Sequence, residues 1–214
     1  MKKPMKRRLI RTLILCLIGL AIGGALAAYE IMNDPRYETR SAESKVAGVK
    51  VGGAFSLTDQ DGKTRTDKDF SDRLKIVYFG FTYCPAICPT ELGKITRALK
   101  AVEGEDPAAL QKLYPVFVTV DPERDTPAVL KDYLSLYHPS FTGLTGTPDQ
   151  IESMKKAYRI YAAKVQDEGM TEYTMDHSSF IYLLAPDDTV LGIYRAADEA
   201  DMIVADIKAN LQNH

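Results

Sequence analysis

The chain has 214 residues, a formal net charge of −2, and 45% hydrophobic and 26% charged residues. That is enough for one ordinary domain with a full core once an apolar N-terminal segment is set aside. Residues 1–28 hold six basic side chains (Lys2, Lys3, Lys6, Arg7, Arg8, Arg11) and no acid, leaving 21 basic against 29 acidic residues, or −8, in the rest. So acidic a domain argues against nucleic acid as a partner.

The basic cluster precedes an apolar run over residues 12–28, which Leu9, Ile10 and Tyr29 extend. A spanning helix needs about 20 residues, so the run predicts a single N-terminal transmembrane helix. The positive-inside rule keeps the cluster in the cytoplasm and sends the remainder out. The expected location is the inner membrane, single-pass, with the C-terminal domain facing the periplasm (the intermembrane space in a mitochondrion). The short basic start, without a long Arg/Ser-rich presequence, points to a bacterial source. Ala25-Leu26-Ala27 resembles a signal-peptide cleavage site, but the apolar run is long for a signal core and favours an uncleaved anchor. Cys16 reads as an apolar filler within it. The expected organisation is anchor 1–29, polar tether 30–50 and a domain over 51–214.

Residues 52–63 alternate apolar and polar into an Asp61-Gly62 turn, a hairpin signal. Residues 74–81 form a continuous apolar strand buried on both faces. Residues 89–102 carry helical spacing through Leu92, Ile95, Leu99 and Val102. A second buried strand covers 116–120, and Asp125-Thr126-Pro127 opens a helix with a cap and a first-position proline. A short strand is expected at 141–144, a helix at 148–161 and a polar irregular loop at 163–176. Strands at 180–185 and 190–194 flank the turn Pro186-Asp187-Asp188, and a helix closes the chain over 198–211. This order predicts an α/β thioredoxin-like fold with an N-terminal β-hairpin extension. Its thiols sit at the carboxyl end of the first central strand, where ligand chemistry in open α/β sheets concentrates.

Those thiols are Cys84 and Cys88, in Thr82-Tyr83-Cys84-Pro85-Ala86-Ile87-Cys88-Pro89. Pro89 in a helix's second turn would clash and cost a hydrogen bond. The expected start therefore has Cys88 as cap and Pro89 first, with both sulfurs near the positive helix end, where thiolate is favoured. Two thiolates across a three-residue spacer form either a redox couple or a clamp for a soft ion such as Cu(I). A disulfide that merely staples the domain is the blander alternative, but so short a loop constrains the unfolded chain little.

Three histidines are present. His138, in Tyr137-His138-Pro139, reads as a surface or capping residue, and His214 is terminal. His177, in Asp176-His177-Ser178, precedes the strand expected beside the first central one, so its loop faces the thiols. Cys84, Cys88 and His177 make a candidate three-coordinate site for Cu(I) or, with tetragonal completion, Cu(II). An ordinary loop histidine is the alternative. Met170 and Met175 are weaker candidates for thioether contact.

Phe79-Gly80-Phe81-Thr82-Tyr83-Cys84-Pro85-Ala86-Ile87-Cys88-Pro89, then Val120-Asp121-Pro122-Glu123-Arg124-Asp125-Thr126-Pro127, then Asp176-His177-Ser178 resemble the motifs of the Sco/SenC family, over roughly residues 45–212. The resemblance implies a membrane-anchored, thioredoxin-like copper protein needed for cytochrome c oxidase assembly. It implies copper held by Cys84, Cys88 and His177 and delivered to the CuA centre of oxidase subunit II. Asp121, Asp125 and Asp176 would then be charged groups around the ligands, although Asp125 also fits a plain helix-capping role. An upstream periplasmic copper donor and a thiol reductant are implied as further partners. The family usually has Asp where this chain has Ala86, a departure that leaves the three ligands untouched.

Two functions compete. One is a copper metallochaperone. The other is a thiol-disulfide oxidoreductase that reduces the CuA-site cysteines of the oxidase subunit. The C-x3-C spacing, in place of C-x-x-C, favours the metal, as does His177-Ser178 where redox enzymes of this fold commonly place proline. A peroxidase ranks last, because the turn offers no set of polar transition-state donors.

Overall fold

The computed structural model describes residues 14–20, 22–24, 26, 29, 48–166 and 172–211. Two compact units form, residues 1–46 and 47–214. The described residues of the first unit are helical, and Ile14, Leu15, Leu17, Ile18 and Leu20 are exposed. Among the described residues no helix is long and apolar enough to cross a membrane. Residues 12, 13, 21, 25, 27 and 28 of the expected span lie outside those described, as do residues 30–47 of the expected tether.

In the second unit the order is β1 (Ser56–Asp59), β2 (Thr64–Thr66), β3 (Leu74–Gly80), α1 (Ile87–Glu105), α2 (Pro107–Leu110), β4 (Leu113–Thr119), α3 (Pro127–Leu134), β5 (Thr142–Thr145), α4 (Pro148–Tyr158), β6 (Ala162–Val165), β7 (Thr174–His177), β8 (Ile181–Leu184), β9 (Val190–Tyr194) and α5 (Ala200–Leu211). Seven strands form one sheet in the order β2-β1-β5-β4-β3-β8-β9, and β6-β7 stand apart as a two-stranded ribbon. β3 pairs in parallel with β4 and antiparallel with β8. This is the thioredoxin-like arrangement expected from the sequence, with the β1-β2 hairpin added through the antiparallel β1-β5 pair.

Every residue of β3 is buried, because a central strand covered on both faces has no solvated side. Leu92, Ile95 and Leu99 of α1 join Ile76, Phe79, Phe117 and Val118 of the sheet in one core. The β1-β2 turn is shaped by buried Asp59, whose carboxylate accepts from the Asp61 and Lys63 amides at 2.9 Å and from Arg65 at 2.8 Å. Thr126 and Thr147 cap α3 and α4, each followed by proline at the first helical turn. The cap oxygen takes an orphan amide, and the proline removes one that had no partner.

Two expectations are corrected. α1 begins at Ile87, with Ala86 as its cap residue, so Cys88 and Pro89 are its second and third helical residues. No hydrogen bond is lost, because the first turn's amides have no intrahelical partner and Pro89 only removes one of them. The stretch expected as an irregular loop over 163–176 contains β6 and β7, paired antiparallel from Ala162↔His177 to Val165↔Thr174. Each strand is only four residues of mixed polarity, too short for local alternation to report.

Candidate metal centre

The peptide between β3 and α1 is a tight turn whose shape is set from beneath by Asp125. This buried carboxylate accepts from the Thr82 amide (3.1 Å), the Thr82 hydroxyl (2.6 Å) and the Thr119 hydroxyl (2.6 Å). Burial pushes its carboxyl above the ordinary Asp value, against the pull of those donors. Asp125 thus fixes the turn to the end of β4 and sets where Cys84 points.

Cys84 is 7% exposed and Cys88 fully buried. The Cys88 amide donates to the Cys84 sulfur at 3.4 Å. The thiols titrate unequally: the Cys88 hydrogen bond, against burial, pulls Cys84 well below the usual thiol value, while Cys84 and burial push Cys88 up. The two shifts run in opposite directions, so the more accessible sulfur is the one that more readily becomes thiolate. Gly80 makes room for this pair, since a Cβ there would meet the Cys88 sulfur at 2.9 Å and Phe117 and Tyr78 at 3.0 Å.

His177 closes the group from the last residue of β7. Its Nε2 lies 3.5 Å from the Cys88 sulfur, and its Nδ1 lies 2.9 Å from the Ser178 carbonyl. A carbonyl only accepts, so Nδ1 donates and, in the neutral ring, Nε2 carries the lone pair toward the thiols. Edge-to-face contacts with Phe81 (5.6 Å) and Tyr78 (6.4 Å) hold the ring. The donor atoms of Cys84, Cys88 and His177 all lie within 4.8 Å of one another, close enough to hold one metal ion.

A truss fixes the β6-β7 ribbon beside the turn. Tyr173, just before β7, donates its hydroxyl to buried Asp121 at 2.8 Å, and Arg124 donates to Asp121 and, at 2.9 Å, to the Tyr173 carbonyl. The Arg124 guanidinium stacks on Tyr173 at 3.8 Å and on Tyr83 at 4.8 Å. Asp121 and Asp125 thus hold the two halves of the group in place. Asp176 is exposed, on the face of β7 opposite His177. Met175 is buried in the core, and Met170 lies outside the described residues.

His138 is away from the site and, contrary to the surface position expected, buried: its ring meets Ser140 Oγ at 2.7 Å and Glu103 at 3.3 Å. A proline-bounded helix end looked exposed, but the ring turns inward to join α1 to the loop after α3. Sequence reasoning missed Gly80 and Tyr173. A lone glycine in a run of large buried residues was the available signal for the first. Tyr173 offered none.

Fold and donor set together define a thioredoxin-like domain carrying a sulfur-rich group able to hold a soft metal. A family model described as SCO1/SenC matches residues 43–212. The bovine mitochondrial SCO2 homolog is 35% identical over 201 residues, 94% of this chain and 75% of the relative. The copper-bound structure of Bradyrhizobium japonicum ScoI is 41% identical, with a TM-score of 0.67 over 74% of this chain and 98% of that one. BsSco, described as a member of the Sco family of cytochrome c oxidase assembly proteins with a disulfide switch, is 26% identical, with a TM-score of 0.60 over 78% and 97% of the two chains. The chain belongs to the SCO1/SenC family.

The residues present fit copper. Two sulfurs and an imidazole nitrogen converge, a set that favours Cu(I) and still offers nitrogen to Cu(II). The Ser178 carbonyl fixes the histidine tautomer in the way outer partners of ligating histidines do.

Proposed function

We propose that this protein carries copper during cytochrome c oxidase assembly and hands it to the CuA centre of subunit II. Cys84, Cys88 and His177 are its ligands. The observation that carries this reading is the imidazole: Nε2 sits 3.5 Å from Cys88 with its tautomer fixed from behind. A dithiol exchange couple has no need of that nitrogen. Copper is cargo here, so the site has to release as well as bind it. A near-surface Cys84 beside exposed Tyr83, Pro85 and Ala86 gives an acceptor's thiolates a place to attack the ion. Ala86 leaves this rim without the family's usual carboxylate. In this reading the domain over 51–214 does the chemistry, and the exposed apolar helix residues near the N-terminus bury in the inner membrane. The 30–50 segment then tethers the domain on the periplasmic side. An upstream copper donor loads it and a thiol reductant keeps it reduced.

The unequal thiols support a second reading. A Cys84 thiolate can attack one sulfur of a partner disulfide, breaking that bond and forming a mixed disulfide. Cys88 then gives up its proton and attacks the Cys84 sulfur. The partner leaves as a dithiol with two electrons, and Cys84–Cys88 is left oxidised.

Mixing the copper-loaded full chain with metal-free, reduced oxidase subunit II separates the two. Delivery predicts copper loss from this chain and growth of CuA absorption at matching stoichiometry. No transfer, with rapid reduction of oxidised subunit II by the metal-free chain, would establish the oxidoreductase instead.

A further inference from the structure

The strand that leads to the thiols carries a polar atom that the fold leaves unused. Tyr78 is fully buried in the middle of β3, between the β4 and β8 partners Phe117 and Ile181. Its hydroxyl is buried with no hydrogen-bond partner, one of two such side-chain atoms among the described residues. A desolvated phenol without a partner is destabilising, and phenylalanine would fill the same space without that cost.

Its surroundings indicate what the hydroxyl is for. A point one carbon out from Gly80 lies 2.9 Å from the Cys88 sulfur and 3.0 Å from the Tyr78 ring edge, so ring and sulfur are neighbours across the glycine. The His177 ring meets the Tyr78 ring edge-to-face at 6.4 Å. The hydroxyl makes no hydrogen bond here, and a thiol sulfur beside it is only a weak acceptor.

We propose that Tyr78 is a positioning residue for copper, whose hydroxyl donates a hydrogen bond to the Cys88 sulfur once that sulfur becomes a metal-bound thiolate. This rests on Cys88 being a ligand, as proposed above. A sulfur bound to copper is a thiolate, a far stronger acceptor than a thiol. The waiting phenol then gains its missing partner without any water entering the core. Such a bond draws electron density off sulfur and favours Cu(I) over Cu(II), the lever by which hydrogen bonds to ligating sulfur tune metal sites. The cost held in the empty protein is returned on loading.

The test compares Tyr78→Phe with wild type in the full chain, with Tyr133→Phe as control, since the Tyr133 hydroxyl already meets Tyr137 at 3.5 Å. Copper(I) affinity by competition with a calibrated chelator and the thiolate-to-Cu(II) charge-transfer band are read on each. Tyr78→Phe is expected to weaken Cu(I) about tenfold, in line with loss of a hydrogen bond to a charged group. It should also weaken Cu(II) less and move the band to lower energy, while Tyr133→Phe leaves both unchanged. A Tyr78→Phe protein that is more heat-stable, with affinity ratio and band unchanged, would overturn the proposal and leave an idle buried hydroxyl. Loss of tight copper binding in wild type itself would instead defeat the ligand assignment on which it rests.

Discussion

The thiol turn and the β6-β7 ribbon each bring donors to the same point, by opposite routes. The turn is local: five residues separate Cys84 from Cys88 counted inclusively, and a strand, a glycine and a helix start place both sulfurs. The ribbon is assembled at long range, with His177 reaching a sulfur 89 residues away in the chain and held by a tyrosine bonded 52 residues back to Asp121. A local device specifies thiol chemistry by itself. It takes the long-range one to make that chemistry selective, because the nitrogen distinguishes a copper site from a dithiol.

Breaking the turn should have the largest effect. Cys84→Ser or Cys88→Ser is expected to abolish tight binding of both copper oxidation states, since a lone thiolate and an imidazole leave a poor soft site. Retention of one tightly held Cu(I) by either variant, in chelator competition, would mean the clamp is misassigned. The unequal thiols add a pH signature. With Cys88 pushed up by Cys84 and by burial, its proton has to leave when copper binds, so apparent Cu(I) affinity is expected to rise with pH near neutrality. An affinity flat with pH would show that both sulfurs are already deprotonated.

Next comes the support under the turn. Asp125→Ala removes three accepted hydrogen bonds and leaves the half-buried Thr82 donors and the buried Thr119 hydroxyl orphaned, an expected loss of about 3 kcal/mol in denaturant unfolding. The sign of its pH dependence is fixed by its raised carboxyl. The folded state holds the proton longer, so this group's contribution to stability falls as pH rises from the ordinary Asp value through the raised one. Asp125→Asn should lose that slope. The smallest effect belongs to the ribbon's brace: Tyr173→Phe forfeits one hydrogen bond to Asp121, about 1 kcal/mol. It should loosen His177 enough to weaken Cu(II) a few-fold while leaving Cu(I) unchanged. Equal weakening of both states would show that the brace serves the turn as well.

The same contrast explains what was legible in the sequence. The turn announced itself through an apolar strand, two cysteines and two prolines, and the sheet order followed from helix and strand periods. The helix start was misplaced by two residues because proline is as harmless at the third helical position as at the first. The ribbon looks like a loop in the sequence because a four-residue ladder of mixed polarity carries no period strong enough to detect, and what braces it is Asp121, Arg124 and Tyr173 meeting across the chain. His177 was found by its place before a strand and by resemblance. What holds it was visible only in three dimensions.

The most direct test of a Cys2His copper site is paired Cu(I) and Cu(II) affinity measurement on the full chain and its His177→Ala variant. The account predicts that Cu(II) affinity falls by more than the roughly 10–100-fold that loss of an outer partner costs, while Cu(I) stays bound by the two sulfurs. Cu(II) affinity unchanged in His177→Ala would contradict it and leave the ribbon without a part in holding copper.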